Sequence, residues 1–167
     1  METIIIVATV LQGIAISLGM GSSTLAITNF FVAIADGKID PTERKMMGVV
    51  YVFLRIAMLL ILATTLVLIG INYFWLAQAA PLAFLPDQST LIAVLFLNSW
   101  LMTKRLMSSK FGPAIQASTW YTLGIITALL PLGLPALSYG QFLLGYIAVI
   151  VSAIVLVNGL MSYLKKD

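Results

Sequence analysis

Apolar residues fill this chain in long unbroken runs, not in the alternation of a half-buried strand or the one-sided stripe of a surface helix. Residues 3–35 contain no charged side chain, and residues 46–75 contain one, Arg55. Residues 89–103 form a shorter uncharged run, and residues 111–164 form one too long for a single crossing. The stretch "PLGLPALSYG" (131–140) divides the last run, and its two prolines and two glycines have the composition of a turn. A helix crosses ~30 Å of hydrocarbon with about 20 residues. The pattern therefore predicts spans at about 3–35, 46–76, 89–104, 112–134 and 139–164. The expected fold class is all-α: a polytopic membrane protein, a bundle of five transmembrane helices forming one domain over 1–167.

Composition supports that class. The chain is 61% hydrophobic and 9% charged, with a mean hydropathy of +1.08. Soluble domains carry about a quarter charged residues, so a water-soluble fold of this length would lack the polar surface to cover itself. The segment before the first apolar run has Glu2 and no basic residue, and the run is longer than a signal-peptide core. It is expected to stay in place as the first span.

Charge then orients the spans. Lys38, Arg44 and Lys45 lie in the first connection, Lys104, Arg105 and Lys110 in the third, and Lys165 and Lys166 in the tail. The second connection (76–88) and the fourth have no basic residue. By the positive-inside rule this predicts a bacterial inner-membrane protein with its N-terminus outside and its C-terminus in the cytoplasm. The net charge of +3 is spread over span ends and forms no nucleic-acid footprint.

The densest charge is "DGKIDPTERK" (36–45), which resembles the second half of a calcium loop. In that alignment the first and third ligand positions fall on Val32 and Ile34, which offer no oxygen. A helix-to-helix turn explains more of the stretch. Gly37 can close the first helix, Asp40 caps the second, Pro41 occupies its first position, and Glu43 completes a capping box. "GMGSST" (19–24) is glycine-rich, but it has no lysine and sits in mid-span, so it is no phosphate loop. "QAAPLAFLP" (78–86) suits an outer interfacial or re-entrant segment, with Trp75 marking the outer interface.

Candidate site residues are the polar and small ones inside the spans. Arg55 is the only charge within a span; from the inner boundary its side chain can snorkel toward the cytoplasm, a reading placed ahead of an ion or substrate role. The first span carries Gln12, Ala15, Gly19, Ser22, Ala26, Asn29 and Ala33 at alternating steps of three and four. The fifth repeats the device with Gln141, Gly145, Ala148, Ser152, Val155, Gly159 and Ser162. Such seams let helices approach closely. The sharper alternative is a polar path lined by Gln12, Ser22, Asn29, Gln141 and Ser152.

"LQGIAISLGMGSS", "FFVAIADGKIDPTE", "LFLNSW" and "STWY" together resemble a family of small bacterial integral membrane proteins whose histidine-bearing members are cytochrome-b-like. The resemblance implies a helical membrane bundle. The family's first-span histidine is replaced here by Gln12, so a bis-histidine haem role does not carry over.

The chain has no histidine and no cysteine. That excludes histidine-ligated haem, thiolate metal sites and Cys or His nucleophile pairs. Without an intramembrane carboxylate, the remaining side chains are a poor set for acid–base chemistry near neutral pH. No cofactor, metal or enzymatic activity is expected. The expected partners are the lipid bilayer and either further copies of the chain or a larger membrane complex. The expected function is a non-enzymatic association or accessory subunit, with a small homo-oligomeric transporter or channel as the alternative.

Overall fold

The computed structural model describes residues 2–35, 40–75, 84–108, 111–132 and 137–164. Among these residues the chain is all-α. The helices are α1 (Glu2–Ala35), α2 (Pro41–Trp75), α3 (Phe84–Thr103), α4 (Gly112–Leu129) and α5 (Tyr139–Leu164), and α4 runs into a single 3-10 turn (Leu130–Leu132). At 1.5 Å per residue, α1 and α2 are each about 50 Å long, well beyond the hydrocarbon thickness.

Local sequence explains where these helices start and stop. At the start of α2 the Asp40 carboxylate accepts from the Glu43 backbone N–H at 2.6 Å, and Glu43 accepts from the Asp40 N–H at 3.0 Å. The capping box is therefore formed, with Pro41 at the first helical position where a missing N–H does no harm. Asp36, Gly37, Lys38 and Ile39 lie outside the described residues.

The helix α3 begins five residues earlier than the third predicted span. Pro86 fits in its first turn, where it breaks no hydrogen bond, so "FLPDQ" is helical and not loop. At the other end Leu106 N–H donates to Leu101 O and Arg105 N–H to Met102 O, at 2.9 and 3.0 Å. This paired closure places Arg105 in the left-handed region, at φ 59°, where glycine is the usual residue.

The bundle is organised around α4. α1 packs along α2 over the greatest length, while α4 touches α1, α3 and α5. The core brings together Ala15, Ile16, Ala57, Ile61, Leu91, Leu95, Trp120, Leu123, Phe142 and Tyr146. The indole of Trp120 is fully buried, and a Cβ placed on Gly19 would collide with it, so α1 and α4 meet at a contact only glycine allows. The outside of the bundle is as apolar as the inside. Val52, Leu59, Leu66, Leu97, Ile125, Leu144 and Val151 are all exposed. Helices apolar all round suit a lipid environment.

The expectation of five helices holds, but the expectation of five segments each apolar enough to cross does not. By length and composition, three helices reach that standard: α1, α2 and α5. These three suggest membrane insertion. The shortfall in α3 and α4 has a physical cause. Gln88 and Asn98 of α3 and Gln116, Ser118, Thr119 and Thr122 of α4 are all buried, and in helices of 20 and 18 residues they lower hydropathy more than Gln12, Ser22, Ser23, Thr64 and Thr65 do in the longer α1 and α2.

Candidate functional site

Two buried polar clusters stand at opposite ends of the core. The first joins α1, α2 and α3. Gln12 and Gln88 each donate an amide N–H to the Thr65 hydroxyl oxygen, at 3.2 and 3.1 Å. A hydroxyl oxygen has two lone pairs, so one threonine can serve both amides. The Gln88 Oε1 atom is buried with no partner among the described residues. The second cluster joins α3 to the start of α4. Asn98 donates its amide to Gly112 O and to Gln116 Oε1, each at 2.9 Å. Gln116 in turn directs its own Nε2 at the Met58 thioether on α2, at 3.6 Å. Sulfur is a weak acceptor, so this buried amide is poorly used.

Ile61, Leu91, Leu95 and Trp120 are fully buried in the core that these helices share. Gln88 and Asn98 are ten residues apart on one helix, which is about 15 Å of rise. Thr119 and Tyr146 make one further polar contact within the core, oxygen to oxygen at 2.6 Å.

A cavity of about 320 Å³ opens beside the second cluster. It lies where the C-terminal parts of α1 and α3 meet the N-terminal parts of α2 and α4. Ser23, Phe30, Arg55, Met58, Ser99 and Gln116 are among its lining residues. This is the end at which Lys104 and Arg105 follow α3 and Arg44 and Lys45 begin α2. Arg55 is exposed at the cavity and has no hydrogen-bond or ion-pair partner among the described residues.

The residues singled out from the sequence divide into two groups. On α1, Gln12, Gly19 and Ser22 are buried and Asn29 is half-buried, so that seam faces the bundle. On α5, Gln141, Gly145 and Ser152 are exposed, as are Ala148, Val155, Gly159 and Ser162. That seam lies outside the packed core, with Ala148 and Ser152 on its flank toward α1 and α4. The opposite side of α5, carrying Phe142, Tyr146, Val157 and Met161, faces inward. The fold therefore does not bring Gln12 and Ser22 together with Gln141 and Ser152.

Gln141 has a local task instead. Its Oε1 accepts from the Ser138 N–H at 3.0 Å while Ser138 Oγ accepts from the Gln141 N–H at 3.3 Å. Ser138-x-x-Gln141 is a second capping box, at the start of α5. Sequence reading passed over Thr65, Gln88, Asn98 and Gln116. The available signal was amides placed within runs otherwise rich in leucine and isoleucine, which in lipid need partners.

Ser152 and Ala148 also border a groove of about 610 Å³ between α1, α4 and α5, together with Thr24, Thr28, Ala117 and Tyr121. Comparison with family models, with curated proteins and with solved structures finds no match to this chain.

Proposed function

We propose that this is a non-enzymatic protein of the bacterial inner membrane that works by association, with the outward face of α5 as its contact surface. One observation carries the reading: the seam from Gln141 to Ser162 lies on the exposed side of α5, and a Cβ added at Gly145 or Gly159 would meet nothing within 4 Å. Small residues on a lipid-facing helix permit another helix to approach closely. The same spacing on α1 is already occupied by neighbours within the chain.

The proposed topology has five crossings, with the N-terminus outside and the C-terminus cytoplasmic. Its support is that the exposed positions of the two less apolar helices, such as Leu97 and Trp100 on α3 and Ile125 and Leu129 on α4, are themselves apolar. Their buried amides face inward, where each makes at least one hydrogen bond. The basic residues then fall on one side.

The chain has no cysteine, so single-cysteine variants report contacts cleanly. Gly145→Cys and Ser152→Cys should form disulfide-linked species in native membranes, whereas Leu59→Cys, exposed on α2, should not. Absence of crosslinks at both α5 positions, to itself or to any neighbour, would overturn the reading. A transport function is the second reading, and it would need a route between copies. Ile61, Leu91, Leu95 and Trp120 are fully buried in the core of a single chain, while Gln141 and Ser152 are exposed outside it. Solute flux into proteoliposomes that drops in Ser152→Leu would favour it.

A further inference from the structure

The cavity beside Arg55 has a composition that the association reading does not use. Its walls are apolar at Ala26, Ile27, Phe30, Leu54 and Met58, and its polar groups sit at two levels. Arg55 provides a permanent positive charge at the opening, with no carboxylate paired to it among the described residues. Three residues further along α2, a rise of about 4.5 Å, Met58 receives the Gln116 amide, whose residue is 5% exposed. An arginine fork binds phosphate or carboxylate oxygens in pairs. A buried amide N–H that reaches only a thioether gains by donating to an oxygen instead.

We propose that this cavity binds a single anionic amphiphile, with a phosphate or carboxylate headgroup on Arg55, within reach of the Gln116 amide, and an aliphatic chain along Phe30, Leu54 and Met58. Charge complementarity supports an anion, because Arg44, Lys45, Lys104 and Arg105 surround the same end of the bundle. The apolar walls support a chain over a small inorganic ion. The shared chemistry fits both a membrane phospholipid and a free fatty anion, and the assay separates these sources.

Native mass spectrometry of the full chain in a neutral detergent reads the binding directly. The probes are phosphatidylglycerol, phosphatidylcholine with the same chains, laurate, and inorganic phosphate. The expected result is one equivalent of anionic amphiphile retained, with phosphatidylglycerol or laurate favoured at least tenfold over phosphatidylcholine. Whichever of the two binds more tightly identifies the source. Arg55→Gln should reduce that preference roughly tenfold, the range for a charge-assisted contact. Lys45→Gln, which lies outside the cavity, should change it less than twofold. Ala26→Phe should weaken retention by filling the space of the chain. Because Arg55, Lys45 and Ala26 are not held in the buried hydrogen-bond network, their variants keep the fold, and circular dichroism checks this. Equal losses in Arg55→Gln and Lys45→Gln would reduce the site to diffuse surface charge. Unchanged retention in Ala26→Phe, or displacement of lipid by inorganic phosphate alone, would show that no chain enters the cavity. Each of these outcomes overturns the proposal without bearing on α5.

Discussion

Replacing Gly19 with alanine adds a single methyl group where α1 meets Trp120 of α4. The added Cβ would fall against the six-membered ring of Trp120 at a separation no real contact shows. The ring cannot swing aside, because Trp120 is fully buried in a core that also includes Ala15, Leu123 and Phe142. Overpacking of this kind costs ~1–3 kcal/mol, and an immobile aromatic neighbour places it at the upper end. Alanine is the better helix former by ~1 kcal/mol, which offsets part of the loss. The expected net effect is a destabilisation of about 2 kcal/mol.

Gly21, two residues along the same helix, supplies the control. It is exposed and has nothing within 4 Å of an added Cβ, so Gly21→Ala keeps only the propensity gain. The two alanine variants should then differ by ~3 kcal/mol, on the order of a hundredfold in the unfolding equilibrium. Chemical unfolding in mixed micelles, followed by far-ultraviolet circular dichroism, measures both. Trp120→Leu removes the obstructing ring, so in that background the cost of Gly19→Ala should nearly vanish, as a double-mutant cycle would show. The reasoning fails if Gly19→Ala matches Gly21→Ala, or if its cost persists without Trp120.

The hydrogen bonds and helix ends are open to the same kind of test. Thr65→Val leaves the amides of both Gln12 and Gln88 without their shared acceptor and should cost about 2–4 kcal/mol, more than Gln12→Leu, which orphans neither; equal losses in unfolding experiments would mean that the shared hydroxyl is unimportant. Arg105→Gly relieves the left-handed residue that closes α3 and should raise stability by about 1 kcal/mol, read as a higher unfolding midpoint; a fall would show that the arginine side chain holds more than its backbone loses. Asp40→Ala should cost about 1 kcal/mol and speed amide exchange in the first turn of α2 while leaving α5 unchanged, and Ser138→Ala should do the reverse; exchange that rises at both ends in either variant would refute the local nature of these caps.

Helix number and some boundaries were legible because both depend on neighbouring residues. The uncharged runs gave the count, and Asp40-Pro41-Thr42-Glu43 announced the start of α2 through chemistry complete within four residues. Ser138-Tyr139-Gly140-Gln141 offered the same signal, but the search for a transmembrane seam claimed Gln141 for another purpose. The number of helices apolar enough to cross, three and not the expected five, was harder to read for a reason built into the bundle. A helix surrounded by others holds its polar groups inside, so hydropathy is low along α4, which packs against α1, α3 and α5. The polar clusters needed distance information. Nothing local to Thr65 says that it receives one amide from 53 residues before it and another from 23 after.

The two small-residue seams show most clearly where pattern stops and structure begins. Both repeat at three and four residues, and both include a glutamine, yet one faces inward and the other outward. In a water-soluble bundle, polarity would separate the faces, since the polar side must meet solvent. In lipid that contrast disappears, because the surroundings are as apolar as the core. Orientation then passes to specific partners. On α1, Gln12 finds Thr65, and Gly19 alone leaves room for the Trp120 ring. On α5 the glutamine is held at the helix start by Ser138, while Tyr146 contacts Thr119 and Phe142 enters the core. The inward face of α5 is thus chosen by its aromatic residues, and the small ones are left on the outside. With nothing within 4 Å of an added Cβ, Gly145 and Gly159 bring α5 no contact within its own chain, and the proposed association surface lies there.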